Sequence, residues 1–440
     1  MADSDTIAAI ATAPGKGGIG IIRLSGPKAL SIAGTFLGKQ PVDRYAHFCS
    51  FRDAAGELID QGLVICFRAP ASFTGEDVVE LQAHGGPVVL DSLLRRVISL
   101  GCRQARAGEF SERAFLNDRI DLVQAEAIAD LIAAESEQSA RAAMRSLKGD
   151  FSARIQQLLQ QLTQLRVHVE SALDFPEEEI DFLADEAISQ QLEQVIAALD
   201  SIADSSRQGK LLSEGLKVVI AGKPNAGKSS LLNALAGMDS AIVSDVPGTT
   251  RDVIRERIQI EGVPLHIVDT AGLRESDDRI EQEGVRRARK EMEDADLLIR
   301  VMDVTLDECE ATADDDPASI QVYNKTDLAR RPAAREGNRI WLSARTGDGI
   351  ELLKQAVLDH AGYQAASQSE GTFSARQRHT DAIERVGQQL GLAGDALNRG
   401  DGEIMAEELR LAQAALAEVT GEFRADDLLG KIFSEFCIGK

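Results

Sequence analysis

The 440-residue chain sets 71 acidic against 48 basic side chains, a formal net charge of −23, and is 44% hydrophobic but only 4% aromatic. That length suits about two to four domains with ample core, and the acidity excludes a general binder of nucleic acid, which it would repel at long range. The scattered Cys49, Cys66, Cys102, Cys309 and Cys437 lack C-x-x-C or Cys/His spacing, which excludes a disulfide framework or zinc site; with neither a basic leader nor a membrane-length apolar run, a soluble cytoplasmic protein is expected.

In chain order, residues 1–118 read as α+β. Strand-like runs at Gly20–Leu24, His47–Phe51, Leu63–Phe67 and Val78–Gln82 are separated by Gly, Pro and Asp turns. Val88–Leu100 has helical periodicity and stops at Gly101. Arg23 lies between Ile22 and Leu24, and Glu80 between Val79 and Leu81. Strand alternation by itself puts both on a solvent-facing side.

Residues 119–212 change to Ala, Leu, Gln and Glu and predict an all-α segment. Long amphipathic helices are expected over Ile120–Leu147 and Phe151–Leu173, then a solvated acidic loop at Asp174–Asp181 and a helix to about Ala203. Residues 213–363 alternate strand and helix patterns, with strands at Val218–Ala221, Leu297–Met302, Ile320–Tyr323 and Arg339–Leu342 and an Arg257–Ile267 hairpin turning at Gly262. That is the pattern of an α/β sheet. After a Ser/Gln/Gly linker at 364–372, residues 373–440 return to helices at Arg376–Leu392, Gly402–Val419 and Asp426–Phe436. The simplest organisation is an α/β domain inserted into one helical domain.

The most specific chemistry sits in the α/β segment. The strand Val218–Ala221 runs into Gly222-x-x-x-x-Gly227-Lys228-Ser229 and then a helical run, Leu231–Ala236. In that setting glycine-rich backbone N–H groups cradle phosphates. Lys228 adds charge for the β/γ-phosphates, and the Ser229 hydroxyl can ligate Mg²⁺. Downstream, Gly248-Thr249-Thr250 offers a threonine for Mg²⁺ and the γ-phosphate, and Asp269-Thr270-Ala271-Gly272 offers a carboxylate and an N–H. Asn324-Lys325-Thr326-Asp327 selects guanine, because an aspartate there accepts two N–H bonds that adenine cannot supply. Ser343-Ala344-Arg345 matches the backbone contact to guanine O6. Five motifs in this order mean GTP binding.

Leu273 stands where Ras-like enzymes carry a water-orienting glutamine, so another group must act. Asn225 could lend an oxygen to a monovalent cation that replaces an arginine finger's charge. Glu281 could align water through a bridging molecule, or be a charged residue on a solvated switch helix. Arg274 reads as a surface switch residue rather than a finger.

Asp5-Thr-Ile-Ala-Ala-Ile-Ala-Thr12, Phe73-Thr-Gly-Glu-Asp-Val-Val-Glu-Leu81, Pro224-Asn-Ala-Gly-Lys228, Gly248-Thr-Thr-Arg-Asp252 and the terminal Phe436-Cys-Ile-Gly-Lys440 resemble the MnmE (TrmE) tRNA-modification GTPases over essentially the whole chain. The resemblance implies three parts: an α+β N-terminal domain like the folate-binding aminomethyltransferases, an all-α helical domain, and an inserted α/β P-loop GTPase. It implies a homodimer that joins the FAD-carrying flavoprotein MnmG in a heterotetramer, away from membranes. Together they place an aminomethyl or carboxymethylaminomethyl group on C5 of the wobble uridine of certain tRNAs. A tetrahydrofolate derivative carries the one-carbon unit, and glycine or ammonium supplies the nitrogen.

By position, the resemblance implies GTP contacts from Asn225, Ala226, Gly227, Lys228, Ser229 and Ser230. Further contacts come from Ser244, Asp245, Val246, Pro247, Gly248, Thr249 and Thr250, from Asp269, Thr270, Ala271 and Gly272, and from Asn324, Lys325, Asp327, Ser343, Ala344 and Arg345. K⁺ would sit on Asn225, Ser244, Val246 and Thr249, and Mg²⁺ on Ser229 and Thr250. Glu281 would position the attacking water once K⁺ has drawn two GTPase domains together. Arg23, Glu80, Arg119 and Lys440 would contact folate, with Arg119 where the family often has lysine. Cys437 could add to uridine C6 or serve as a small apolar residue at a helix end. The basic surface for tRNA is expected mainly on the partner. Two other readings are a ribosome-assembly or RNA-binding GTPase without covalent chemistry, although no basic RNA module is readable here, and a folate-dependent methyltransferase with a regulatory GTPase.

Overall fold

Ile22 and Leu24 share one face of a strand and Arg23 takes the other; in the computed structural model of the chain both apolar residues are fully buried. The structure describes residues 5–174, 186–238, 255–269, 295–306, 319–363, 372–421, 426–434, 436 and 439. It divides into two units, residues 1–129 with 417–440, and residues 130–416.

In the first unit, β1 (Ile7–Ile10), β2 (Gly17–Ser25), β3 (His47–Arg52), β4 (Leu58–Phe67), β5 (Val78–Gly85) and β6 (Arg103–Gln104) form a sheet of order β3-β4-β5-β2-β1-β6. Pairing is antiparallel apart from β1 with β6. Helices α1 (Ala29–Leu37) and α2 (Pro87–Ser99) bury Ile32, Ala33, Leu93 and Val97 against Ile22, Leu24, Val64 and Leu81. On the opposite face α3 (Glu109–Leu116) packs Phe110 with Ile7, Ala9 and Ala105, and Phe73 lies against this cluster. The solvent-facing side expected for Arg23 and Glu80 is thereby corrected. Alternation does turn them away from the helix-covered core, but the second face is covered too. The C-terminal helix Asp426–Ser434 also belongs to this unit, packing Leu429, Ile432 and Phe433 on Phe115 and Leu122.

An ion network ties the N-terminus to α3 and to the 73–76 loop. Arg113 reaches Asp5 at 2.7 Å and Glu76 at 3.0 Å, while Arg103 reaches Asp5 and Glu109 at 2.6 Å each. Hydrogen bonding from Arg103 holds the Asp5 carboxyl down to about 2. Burial pushes Glu109 up, but bonds from Arg103 and the Arg106 N–H outweigh it and leave it below the usual range. Both folded values are depressed, so their stabilisation is fully present at neutral pH and is lost as pH falls through the folded values. In thermal denaturation, the advantage of the wild type over Arg103→Ala is therefore expected to be constant near neutrality. It should shrink as pH falls from about 4, the ordinary carboxylate value, toward the folded value of Asp5.

Helix α4 (Leu122–Ala133) spans the division between the units. The sequence predicts one helix over Ile120–Leu147; the structure has two, α4 and α5 (Glu137–Leu147). Ser136 and Ser139 start the second with a reciprocal cap, the Ser139 N–H donating to Ser136 Oγ at 3.0 Å and the Ser136 N–H to Ser139 Oγ at 3.1 Å. Next come α6 (Asp150–Asp174) and α7 (Glu186–Glu214). α7 outruns its expected end at Ala203 because its apolar stripe continues through buried Leu211 and Leu212.

The chain then builds a second sheet from β7 (Leu216–Ala221), β8 (Arg255–Ile260), β9 (Val263–Asp269), β10 (Leu297–Asp303), β11 (Ser319–Asn324), β12 (Ala334–Glu336) and β13 (Arg339–Trp341), with α8 (Lys228–Met238), α9 (Thr326–Ala329) and α10 (Ile350–His360). The order is β12-β13-β11-β10-β7-β9-β8. The centre is parallel and the edge strands β8 and β12 are antiparallel to their neighbours. Helices α11 (Gln377–Arg399) and α12 (Gly402–Thr420) follow. The sheet segment begins and ends side by side: Ser213 Oγ donates to the Ala375 carbonyl at 2.6 Å, and the Gln377 N–H to Glu214 at 2.9 Å. Phe151 and Phe373 stack at 4.1 Å beside this junction. Among the described residues, no helix is long and apolar enough to cross a membrane.

Candidate functional site

Two places gather the sequence-predicted residues. β7 has β10 on one side and β9 on the other, the kind of switch point at which open α/β sheets bind ligands beyond the carboxyl ends of their strands. The loop after β7 leads from there into α8. A Cβ on Gly222 would lie 2.2 Å from the Val301 carbonyl oxygen, and one on Gly227 would lie 2.2 Å from Asn324 Nδ2. The cradle must therefore be bare backbone, which fits phosphate binding through N–H groups. Asn225 takes φ +64°, a left-handed conformation that asparagine tolerates better than most residues. Lys228 Nζ donates to the Gly222 carbonyl at 2.8 Å and to that of Lys223 at 3.3 Å, lying across the loop. Ser229 and Ser230 open α8 and are exposed.

Asn324 ties three loops together. It is buried at the end of β11; its Nδ2 donates to the Ala226 carbonyl at 2.9 Å, and its Oδ1 accepts from the Lys325 N–H at 2.8 Å and the Ala344 N–H at 2.9 Å. Each such bond contributes about 1 kcal/mol net, but a buried group left unpaired costs about 1–3 kcal/mol. Lys325 Nζ meets Asp303 at 2.5 Å. Burial pushes the Asp303 carboxyl up, but bonds from Lys325 and Thr305 prevail and hold it below the usual range. Sequence reasoning missed Asp303; the available signal was an acidic residue ending an apolar strand. Ser343 Oγ donates to Asp327 Oδ1 at 2.7 Å, which fixes the carboxylate's orientation. Behind these loops Tyr323 stacks on Trp341 at 4.9 Å. Arg345 is exposed beside Ala344.

The structure thus brings the residues 225–230, Asn324, Lys325, Asp327 and 343–345 to one end of the sheet. Asp269 closes β9, opposite Ile220 in register. Ser244, Asp245, Val246, Pro247, Gly248, Thr249, Thr250, Thr270, Ala271, Gly272, Leu273, Arg274, Glu281, Cys437 and Lys440 lie outside the described residues.

The second place is in the first unit. Arg23 and Glu80 are cross-strand partners on β2 and β5, with Arg23 Nε and Nη2 donating to Glu80 Oε1 at 3.1 and 2.9 Å. Their side chains are only 26% and 16% exposed. The Arg23 guanidinium lies 5.8 Å from the ring centroid of Phe73 and 5.9 Å from that of Phe110, and Nη1 donates to the Gly439 carbonyl at 3.4 Å. Gly439 of the C-terminal tail therefore lies against Arg23. Arg23, Glu80 and Arg119 line one cavity of about 410 Å³, a size proper to a small-molecule site. Arg44, Phe67, Ala71, Ser72, Phe73 and Val78 complete its lining. Arg44 and Phe67 belong to no motif and escaped sequence reasoning. The flat apolar walls and the Arg–Glu pair fit a heteroaromatic ligand with both donors and acceptors, as a folate has.

Two family models match the chain: "GTP-binding protein TrmE N-terminus" over residues 6–119 and "MnmE helical domain" over residues 122–437. Among solved structures, the G domain of the FeoB iron transporter of T. maritima is 26% identical over 33% of this chain and 98% of its own, with a TM-score of 0.25. The FeoB G domain of Methanococcus jannaschii is 23% identical with the same coverage and TM-score. A probable GTP-binding protein engB is 23% identical, covering 33% of this chain and 98% of its own at a TM-score of 0.23.

Proposed function

The chain belongs to the MnmE (TrmE) family and is a GTP hydrolase of tRNA modification, and from that premise we propose that it uses K⁺-dependent GTP hydrolysis to drive alkylation of a wobble uridine at C5. It acts as a homodimer with a flavoprotein of the MnmG type, which carries FAD, and adds an aminomethyl or carboxymethylaminomethyl group. One observation supports this reading above others: a single chain holds both a guanine-nucleotide cradle organised on Asn324 and, in its N-terminal unit, a cavity built around Arg23 and Glu80. A GTPase that only timed RNA binding would have no use for the second.

In this reading the P-loop N–H groups and Lys228 hold the phosphates, and Asp327 with the Ala344 N–H reads the guanine. Mg²⁺ on Ser229 and Thr250, and K⁺ on Asn225, Ser244, Val246 and Thr249, supply positive charge against the γ-phosphate when bound. Glu281 aligns the attacking water where Leu273 cannot. Arg23, Glu80, Arg119 and Lys440 hold a tetrahydrofolate whose one-carbon unit enters the product. Asn225 holds a left-handed backbone at modest cost, and in this reading its side chain faces the phosphates.

The cation assignment is tested by hydrolysis rates in K⁺ against equimolar Na⁺ at several protein concentrations. Hydrolysis should be at least about tenfold faster in K⁺ and should rise with protein concentration, and Asn225→Ala should remove the difference. Equal wild-type rates in the two salts would refute the cation role of Asn225.

A further inference from the structure

Resting on the folate reading of the cavity, we propose that Arg44, with Arg119, is a specificity-determining residue for the acidic tail of the one-carbon carrier, selecting folates that bear a chain of several glutamates. The cavity is graded from inside to outside. Its inner end holds the half-buried Arg23–Glu80 pair beside buried Val78, and its walls are Phe67, Phe73 and Ala71. Its rim is cationic: the Arg44 side chain is 57% exposed, and Arg119 is exposed as well.

The charges do not cancel. Glu80 is taken by Arg23 through two hydrogen bonds. Among the described residues, Asp43 at 3.8 Å is the one carboxylate that pairs with Arg44, and Arg119 meets none. A ligand that fills this cavity therefore leaves through a mouth with two guanidinium groups, so its outer end must be anionic. One carboxylate would satisfy one arginine; a run of carboxylates satisfies both, and guanidinium is the group best matched to them.

Arg44 is also held ready. Its backbone takes φ +55°, an uncommon conformation for a residue with a side chain, of the kind kept where a site demands it. Its N–H donates to the Cys66 carbonyl at 2.8 Å. Its Nη2 donates to the Ala71 carbonyl at 2.5 Å, and its guanidinium lies 5.6 Å from the Phe67 ring centroid. A long side chain pinned in this way loses little freedom when it binds an anion.

The test measures binding of three probes to the full chain by calorimetry: 6-methyltetrahydropterin, formyl-tetrahydrofolate with one glutamate, and the same folate with three. Wild type should bind the triglutamate about tenfold more tightly than the monoglutamate, with a gain that weakens in high salt. Arg44→Gln should erase most of that gain and lower affinity for the pterin by far less than affinity for the triglutamate, while GTP binding at the nucleotide cradle shows that the chain is folded. Arg119→Gln, whose arginine side chain makes no ion pair among the described residues, should reduce the gain in part, and Arg44→Lys should restore some of it. Equal affinity of wild type for the two folates, or a gain that survives Arg44→Gln, overturns the role of Arg44 and leaves the folate reading standing. Failure of wild type to bind either folate overturns both.

Discussion

Asp327→Asn is expected to lower GTP affinity about a thousandfold and to pass the preference to xanthosine triphosphate, from the loss of two charge-assisted bonds worth about 1.5–3 kcal/mol each. Asp327 can accept from N1–H and the exocyclic amine of guanine together, and Ser343 Oγ at 2.7 Å fixes its orientation. An asparagine offers one oxygen and one N–H₂ group. The N–H₂ faces the guanine amine, donor against donor, but suits the carbonyl that xanthine carries there. The fold has little reason to suffer, because the Ser343 hydroxyl can pair with an amide as well as with a carboxylate. Nucleotide competition, GTP against xanthosine triphosphate at fixed Mg²⁺ and K⁺, reads the result. Unchanged GTP affinity would mean that Asp327 does not face the base.

Arg23→Ala is expected to weaken folate binding at least about a hundredfold and to abolish uridine modification. Three things disappear at once: the cation against Glu80, the charge between the Phe73 and Phe110 rings, and the donor to the Gly439 carbonyl. Glu80, only 16% exposed, is left without its partner in a cavity whose other walls are largely apolar. Because the pair is partly solvated, the cost to stability is modest, about 1 kcal/mol. The effect should therefore show as lost binding with a small fall in melting temperature. Glu80→Gln makes the complementary change: it removes the charge, keeps an acceptor for Arg23, and should lose less of the fold but still impair recognition. Retained folate affinity in Arg23→Ala would place the carrier elsewhere.

How much of this was legible from sequence depends on how local the feature is. The nucleotide cradle was readable because it is one contiguous turn of backbone, in which Gly222, Gly227 and Lys228 must occur at fixed spacing. The hub role of Asn324 was not readable. Its bonds to Ala226 and Ala344 join loops 98 and 20 residues away, and only the sheet order makes them neighbours. The period-two pattern around Arg23 and Glu80 gave their face correctly. It could not say that α3 covers that face, since Phe110 comes from a distant short helix. Arg44 carries no motif at all and is found only through the cavity it lines. The break between α4 and α5 lay in plain view as Ser136-x-x-Ser139, but the strong Ala-rich periodicity on both sides hid it. Short elements such as α1, α3 and β12 escaped for a related reason: they are stabilised by what they pack against, not by their own pattern.

The central claim is that GTP hydrolysis in this chain drives covalent change in tRNA. It is tested most directly by incubating the chain with its flavoprotein partner, substrate tRNA, a tetrahydrofolate one-carbon donor, ammonium or glycine, and K⁺, and quantifying C5-modified wobble uridine by mass spectrometry of nucleosides. The account predicts modified uridine with GTP and none above background with a non-hydrolysable GTP analogue. Equal product with GTP and with the analogue would contradict it.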